Sequence, residues 1–413
     1  MVLSVLFFTV VMEALIAELH FPEAIHYLND IVNLCLLIMM LVRPGRTVSR
    51  VHSRPLVGIA VTVLVVFSIS ATINTVAPIL YFWALRNTFR GFVFFLACVT
   101  YLNREDLPGI FDKLLLLQVV SLVLALYQHF VLGLNMDDTG GIFGHGNGAG
   151  VNPFNALLFA YYLNMYMAGR ERLWKLVVAA AFALVIAGIA EEKVTYFYLL
   201  VILVVSLLFA KASKKAAIAV FVSLVAGYIG LDILRMLYPD MFTVMSSLDT
   251  IDEYLRTSYD EGYMLPRVGS FQVISDLFFR KAPLRALFGV GFGNGETGSY
   301  SFLNGPLYLL YGYLHYRWFT HQWTFIECGW VGFISYLAFF VVAGLKMIRE
   351  RISGATEENR PYLVMGIGLC LVTIISIWYN ATLKVDMCYI AFFSMAVGFV
   401  SLNSRKRGVT AHV

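Results

Sequence analysis

Long apolar runs follow one another along almost the whole chain, and this feature restricts its fold more than any other. A transmembrane helix needs about 20 mostly apolar residues, and successive runs approach that length before a charge or a turn residue stops them. The runs are 2–19, 29–42, 55–74, 88–102, 111–132, 153–168, 174–190, 194–210, 216–235, 321–345, 361–379 and 383–402. We therefore predict an all-α polytopic membrane protein with about twelve transmembrane helices.

The composition supports this class and excludes several others. Of the 413 residues, 60% are apolar or aromatic and 14% are charged, and the mean hydropathy is +0.77. Soluble domains carry about 45–50% apolar and about 25% charged residues, so a soluble enzyme, a disordered chain and a nucleic-acid-binding protein are excluded. The five cysteines show neither CxxC nor Cys/His ligand spacing, and we expect neither a disulfide framework nor a metal site.

The first part of the chain fits the pattern least well. Glu13 and Glu18 interrupt the first run, and residues 75–87 suit a half-helix that lies on the membrane surface. Further along, six glycines occur within residues 140–150, as expected for a loop that enters a ligand cavity. Pro153 suits the first turn of the helix that follows, with Asn152 as its N-cap.

Lysine and arginine are unevenly distributed between the two sets of short loops, with 19 in one set and four in the other. By the positive-inside rule, both termini are cytoplasmic and residues 236–320 are external. This gives three parts: residues 1–235 with helices 1–9 and a Gly-rich external loop at 133–152, the large external loop 236–320, and residues 321–413 with helices 10–12 and a basic tail. Within the large loop, residues 267–281 have helical periodicity, with apolar side chains on one face at Val268, Phe271, Ile274, Leu277 and Phe278.

Four cations lie in the external short loops, where the charge rule disfavours them: Arg86, Arg90, Lys193 and Lys384. Charges near membrane spans are costly unless they are paired or used, and Arg and Lys at the outer leaflet suit a phosphate or diphosphate group. Two structural alternatives stay open. Lys193 can pair with the neighbouring Glu191 or Glu192, and the two arginines can extend to lipid head groups.

The end of the external loop is rich in aromatic residues and contains two histidines, His315 and His321. An aromatic wall beside cations suits sugar stacking together with phosphate binding, although an interfacial aromatic belt is the structural alternative. A neutral histidine is the usual general base near pH 7. Either histidine could fill that role, and a lone interfacial histidine is more often structural.

These motifs together resemble the O-antigen polymerase and ligase superfamily. The resemblance is carried by Arg267 through Pro283, by GVGFG at 289–293, by His321-Gln322 and by ECGWVG at 327–332. The segment GIFGHGNGAGVNPFN is similar to the family's Gly-rich segment that ends in Asn-Pro-Asn. Two features depart from the family pattern: Gln322 replaces the usual Asn, and Asp137 and Asp138 stand where an Arg often precedes the glycines.

The resemblance implies a GT-C-like membrane glycosyltransferase that acts on undecaprenyl-diphosphate-linked glycans at the outer leaflet of the bacterial inner membrane. It implies no metal and no cofactor, with His321 as base and Arg267 as the loop arginine that assists catalysis. Lys193 falls where the family often has a basic residue, and Arg90 is a weaker match. The remaining residues assigned to the diphosphate or glycan are Arg285, Tyr313, His315, Arg317 and Trp323.

A Wzy-type polymerase that joins repeat units of O-antigen, capsule or exopolysaccharide is the leading interpretation. The partners would be the lipid-linked glycan, the bilayer and a chain-length regulator, with no nucleic acid. The first alternative is a ligase that transfers finished glycan to lipid A core. The second is a flippase or secondary transporter, which would place ionisable residues within the membrane. Glu13 and Asp386 are the main residues of that kind.

Overall fold

The structure is a computed structural model that describes residues 1–42, 54–145, 148–209, 213–256, 264–280 and 282–403. The predicted basic tail therefore lies beyond the described residues from position 404 onward. None of the described residues is in a β-strand. The helices that coincide with the predicted apolar runs are α1 (Val2–Ala17), α2 (His26–Val42), α3 (Arg54–Ile73), α4 (Pro78–Tyr101), α5 (Leu107–Phe130), α6 (Gly148–Met167), α7 (Leu173–Ile189), α8 (Lys193–Phe209), α9 (Lys214–Leu237), α15 (Thr320–Ile352), α16 (Arg360–Tyr379) and α17 (Cys388–Val400).

Among the described residues, seven helices are long and apolar enough to cross a membrane. They are α2, α3, α4, α5, α9, α15 and α16. The chain is thus an all-α protein with the helices of a multi-pass membrane protein. The other predicted runs coincide with α1, α6, α7, α8 and α17, which are shorter or less apolar.

Short connections between antiparallel helices gather the helix ends at two faces. At one face, Thr320 at the start of α15 donates its backbone N–H to Asn380 just after α16 (3.0 Å). This face also carries the described residues between 238 and 319, and we call it the loop end. At the other face, the Arg104 side chain donates to Asn359 (3.0 Å). We call this face the basic end, because it carries Arg104, Arg170, Arg172, Arg351 and Arg360.

The centre of the bundle is a packed aromatic core between α4, α15 and α17. The ring of Phe92 lies 4.7 Å from that of Phe339 and 5.0 Å from that of Phe392. A glycine is needed beside them, since a Cβ at Gly91 would stand 2.3 Å from the Phe392 ring. This close packing fixes how far α4 and α17 stand apart, and therefore where their loop ends meet.

The described part of residues 238–319 is largely helical and folds onto the loop end. Its helices are α10 (Pro239–Met245), α11 (Leu248–Arg256), α12 (Ser270–Ile274), α13 (Pro283–Phe288) and α14 (Pro306–Tyr311), and Ser275–Phe279 continues α12 as a π-helical turn. Gly289 (φ +73°) lies against the backbone of Glu327, where a Cβ would stand 2.3 Å from a main-chain atom. Gly329 (φ +61°) breaks α15 at the same contact. We call residues 289–295 the glycine turn. Both Gly289 and Gly329 are therefore required for the glycine turn to reach α15.

Three local expectations differ from the structure: those for residues 75–87, for Asn152 and for Pro153. Residues 75–87 were expected to form a surface half-helix, but α4 is continuous from Pro78, because proline favours the first helical turn and no breaker follows it. The expectation for Asn152 and Pro153 was also wrong. Helix α6 begins at Gly148, so Asn152 is not its cap, and its side chain instead donates to Glu192 (2.6 Å).

The helix predicted over 267–281 is confirmed in its central part, Ser270–Phe279. Its apolar side chains are not all covered, since Val268 and Leu277 are exposed whereas Ile274 and Phe278 are buried. The π-helical turn inserts an extra residue and rotates the face that follows it. A helical periodicity of 3.6 does not anticipate this shift.

Candidate functional site

Two cations that the sequence singled out separately converge on one aromatic ring at the loop end. The Lys193 Nζ lies 5.4 Å and the Arg267 Cζ lies 5.0 Å from the ring centroid of Tyr254. The Arg267 guanidinium also lies 5.0 Å from the ring of Phe319 and 5.4 Å from that of Tyr379. We call these five residues the Tyr254 cluster. The arrangement combines two positive charges with aromatic faces, and both cations are partly exposed.

Three elements bring the Tyr254 cluster together. Lys193 is the first residue of α8, Tyr254 lies in the last turn of α11, and Arg267 lies just before α12. Lys193 also pairs with Glu191 at 3.0 Å, which is the local ion pair that the sequence offered as an alternative. The Lys193 side chain is nevertheless 20% exposed, so an anionic ligand that approaches from the loop can still reach it.

His321 lies directly beneath this cluster. Its Nδ1 is 3.1 Å from the carbonyl of Ile377, and its Nε2 is 3.1 Å from the Ser270 hydroxyl and 3.2 Å from the carbonyl of Arg267. A neutral ring that donates from Nδ1 and accepts the Ser270 proton at Nε2 fits these contacts. The ring is only 1% exposed. In this tautomer His321 therefore ties Ser270 to α16, contacts the Arg267 carbonyl without donating to it, and is closed to solvent.

Gln322 reinforces that connection. Its Nε2 donates to the carbonyl of Pro266 at 3.0 Å, next to the carbonyl that His321 contacts. The His321-Gln322 pair thus holds Pro266 and Ser270, on either side of Arg267 in the segment that presents it. A glutamine amide can donate this bond as an asparagine amide does, so the departure from the family pattern keeps the donor.

A second cluster at the loop end is built around a fully buried ion pair. The Lys384 Nζ lies 3.1 Å from the Glu327 Oε2, and both side chains are 0% exposed. The Glu327 Oε1 accepts the backbone N–H groups of Gly293 and Gly295, each at 3.0 Å. Lys384 also lies 4.4 Å from the ring centroid of Trp323. The carboxylate therefore joins the glycine turn to α15 and to the segment before α17.

Buried Glu296 and half-buried Arg317 complete this group, which we call the Glu327 cluster: Glu296, Arg317, Trp323, Glu327 and Lys384. Arg317 stacks on Trp323 at 4.3 Å, and Glu296 accepts a hydrogen bond from Asn87 at 2.8 Å. Burial, and then the negative charge of Glu327, raise the pKa of Glu296 to about 7, although Lys384 and Arg317 oppose the shift. Glu296 is thus the group of this cluster that can change charge near neutral pH.

Arg90 and Arg86, the two arginines of α4, are held in ion pairs. Arg90 pairs with Asp386 and is buried, and Arg86 pairs with Asp30. Neither arginine therefore extends to lipid head groups, which was the structural alternative for them. His26 lies 3.2 Å from Asp386, whose second oxygen is the partner of Arg90.

Glu13, His26 and Asp386 offer ligand atoms that lie within 4.8 Å of one another. That spacing could suit a metal ion. However, the positive charge of Arg90 already neutralises Asp386 and opposes a second cation. We call these three residues and Arg90 the Asp386 cluster.

The other predicted site residues are dispersed. His315 stacks on Trp318 with ring centroids 4.1 Å apart, Tyr313 lies exposed beside Tyr311, and Arg285 is exposed on α13. The structure thus brings Arg267, Lys193 and His321 together in one place and Arg317 with Trp323 in another.

Tyr254, Ser270 and Glu296 were not anticipated from the sequence. Tyr254 lies in a short polar stretch, LDTIDEYLR, that resembles any amphipathic surface helix. Glu296 was the more detectable of the three, because it is an acidic residue directly after a glycine-rich turn in an aromatic segment. Burial of that turn against the membrane helices was the missing information.

The sequence matches no model of a known protein family, and a comparison with curated proteins finds no significant match. The family resemblance drawn from the short motifs therefore stays a hypothesis.

Proposed function

We propose that the protein is a membrane glycosyltransferase that transfers an oligosaccharide from a polyprenyl diphosphate carrier, with its site at the Tyr254 cluster. The acceptor sugar hydroxyl forms a bond to C1 of the donor sugar, and the bond from C1 to the diphosphate oxygen breaks. The diphosphate leaves with the electron pair, and the acceptor proton passes to a base. Negative charge develops on the leaving group, so cations that are already in place lower the barrier.

The convergence of Arg267 and Lys193 on Tyr254 carries the proposal. The two cations come from separate elements, and both are partly exposed at the loop end. An arginine fork and a lysine suit a diphosphate. The rings of Tyr254 and Tyr379 hold the Arg267 guanidinium by cation–π contacts, so the fork is already in place.

His321 fits the role of base only after a local change. Its Nε2 already lies 3.1 Å from a hydroxyl, that of Ser270. An acceptor hydroxyl that displaced Ser270 would meet the same nitrogen at hydrogen-bond distance. His321 as base and Arg267 as diphosphate ligand would then be adjacent, because the ring contacts the Arg267 carbonyl.

Within this class, we propose a polymerase of lipid-linked repeat units for O-antigen, capsule or exopolysaccharide. The carrier would be undecaprenyl diphosphate and the location the bacterial inner membrane, with the loop end outward and both termini cytoplasmic, as the distribution of Lys and Arg predicts. A chain-length regulator would be the protein partner. A ligase would use the same chemistry with a different acceptor.

The test is the surface glycan profile of cells that carry Arg267→Gln, with Arg256→Gln as the matched control. Arg256 is an exposed arginine of the same loop, and it pairs with Asp252 four residues earlier. We expect Arg267→Gln to lose the ladder and Arg256→Gln to keep it. His321→Ala should also lose the ladder, and His315→Ala should reduce it less.

The form of the loss separates the two transferase readings. Core that bears a single repeat unit indicates a polymerase, whereas bare core with glycan accumulating on the carrier indicates a ligase. An intact ladder in Arg267→Gln, with the variant inserted and folded, contradicts the proposal.

A proton-coupled transporter is the second candidate, and one observation favours it. Glu13 and Asp386, the two residues that this reading singled out, meet at His26. Ionisable residues that meet within a helix bundle are typical of proton pathways. This reading predicts that Glu13→Gln or Asp386→Asn abolishes function while Arg267→Gln is tolerated. The opposite ranking would favour the transferase.

A further inference from the structure

A cavity of about 310 Å³ opens at the basic end, far along the bundle from the Tyr254 cluster. It lies where the ends of α6, α8, α15 and α16 meet. Its polar lining includes three arginines, Arg170, Arg351 and Arg360, and its apolar lining includes Met167, Phe209 and Val364. Binding cavities for small ligands begin near this size, at about 300 Å³.

Among the described residues, no carboxylate forms an ion pair with two of these arginines. Arg170 donates to the backbone carbonyls of Glu357 and Glu358, each at 2.8 Å. Arg351 donates to the carbonyl of Phe209 at 3.2 Å, and its Nε is buried without a hydrogen-bond partner. Carbonyl bonds orient a guanidinium but leave its charge in place. The lining has three arginines against one carboxylate, that of Glu357, so the potential of the cavity is net positive.

The third arginine has only a weak partner. Arg360 pairs with Glu357, but the side chain of that glutamate is 74% exposed. An exposed ion pair contributes little and is easily exchanged for another anion. A buried hydroxyl, that of Ser206, lines the same cavity and receives a hydrogen bond from Asn164 at 3.0 Å. Because the Ser206 oxygen accepts this bond, its hydroxyl proton can be donated to an anion.

We propose that this cavity binds a phosphate group, supplied either by the head group of an anionic phospholipid or by free phosphate. Arginine forks and a hydroxyl donor are the groups that recognise phosphate oxygens. The apolar lining beside them, at the edge of membrane helices, suits the glycerol and upper acyl chain of a lipid. The site lies at the opposite end of the bundle from the Tyr254 cluster and does not rest on the proposed function.

The experiment uses the full-length protein, purified in an uncharged detergent and stripped of lipid. Binding of phosphatidylglycerol and of phosphatidylcholine is measured by native mass spectrometry, and inorganic phosphate is added as a competitor. The variants are Arg351→Gln and Arg170→Gln. The matched control is Arg172→Gln, an exposed arginine close to Arg170 that does not line the cavity.

We expect the wild type and Arg172→Gln to retain phosphatidylglycerol in preference to phosphatidylcholine. Each cavity variant should bind it about tenfold more weakly, because one charge-assisted bond is lost. If inorganic phosphate competes with phosphatidylglycerol, the phosphate group alone is the ligand. If it does not compete, the whole lipid is the ligand. Equal retention by all variants, or no preference between the two lipids together with no phosphate binding, overturns the proposal.

Folding is checked by thermal unfolding of each variant. If Arg351→Gln does not fold, Arg351→Lys and Arg360→Gln replace it. Arg351→Lys keeps the charge and loses the planar fork, whereas Arg360→Gln removes a charge from a partly exposed site. Arg351→Lys should therefore weaken binding less than Arg360→Gln does. Unchanged retention of phosphatidylglycerol by both replacements would likewise overturn the proposal.

Discussion

The Tyr254 cluster and the Glu327 cluster lie at the same end of the bundle and share one motif, a lysine beside an aromatic ring. They differ in what else the lysine meets. Lys384 is completely buried against Glu327, whose other oxygen binds two backbone N–H groups. Lys193 also has a carboxylate partner, Glu191, but it is partly exposed and shares its ring with Arg267.

This difference distinguishes a charge that stabilises the fold from a charge that can bind a ligand. A buried ion pair with satisfied hydrogen bonds cannot exchange its partner without leaving an unpaired charge in an apolar environment. A partly exposed cation can exchange its partner, because water and ligands compete on similar terms. Residue type alone does not make this distinction, since the sequence flagged Lys193 and Lys384 for the same reason.

The largest expected effect is on stability at the Glu327 cluster. Lys384→Met leaves the Glu327 carboxylate buried and unpaired, which should lower the free energy of unfolding by about 3–5 kcal/mol. The measurement is thermal unfolding in detergent. The double variant Lys384→Met with Glu327→Gln should recover much of the loss, because it removes the unpaired charge and keeps an acceptor for Gly293 and Gly295. A double variant no more stable than the single one would argue against a buried ion pair.

The second effect is a pH dependence that belongs to Glu296. Its pKa is raised to about 7 in the folded protein from an ordinary value of 4.5. The folded state then keeps a proton that the unfolded chain releases, so stability falls as pH rises from about 5 to 7 and levels off above that. The total is about 3 kcal/mol. Unfolding temperatures at pH 5, 6, 7 and 8 should show a shallower slope in Glu296→Gln than in the wild type. Parallel slopes would refute the assignment.

The third effect is on glycan polymerisation and concerns the ring of Tyr254. Tyr254→Leu removes the aromatic face between two cations, and we expect about tenfold less polymerised glycan. Tyr254→Phe keeps the face and should retain most of the activity. If both variants lost activity equally, the hydroxyl and not the ring would be the important group.

The smallest effect sharpens the comparison most directly. Lys193→Gln breaks only a partly exposed ion pair, so the unfolding free energy should change by less than about 1 kcal/mol. Glycan polymerisation should nevertheless fall. A large stability loss without a specific loss of activity would place Lys193 with Lys384 as a structural residue.

Much of the fold could be predicted from the sequence, but less of the candidate site could. Every predicted apolar run coincides with a helix, because the length of a run and the residues that end it are local properties. The failures were also local in origin. Asn152 stands within α6 and not at its start, because the helix continues back to Gly148 through residues that favour a loop.

The sequence by itself determined that this protein is a bundle of membrane-type helices with a large segment at one end, since apolar length and loop charge need no knowledge of neighbours. Only the tertiary structure decided which charge meets which. Arg90 and Asp386 are 296 residues apart, and Lys384 and Glu327 are 57 apart. Their pairing depends on how α4, α15 and α17 pack, and that packing also decides which cations stay accessible. The chemistry that we propose for the loop end rests on two of those accessible cations, Arg267 and Lys193.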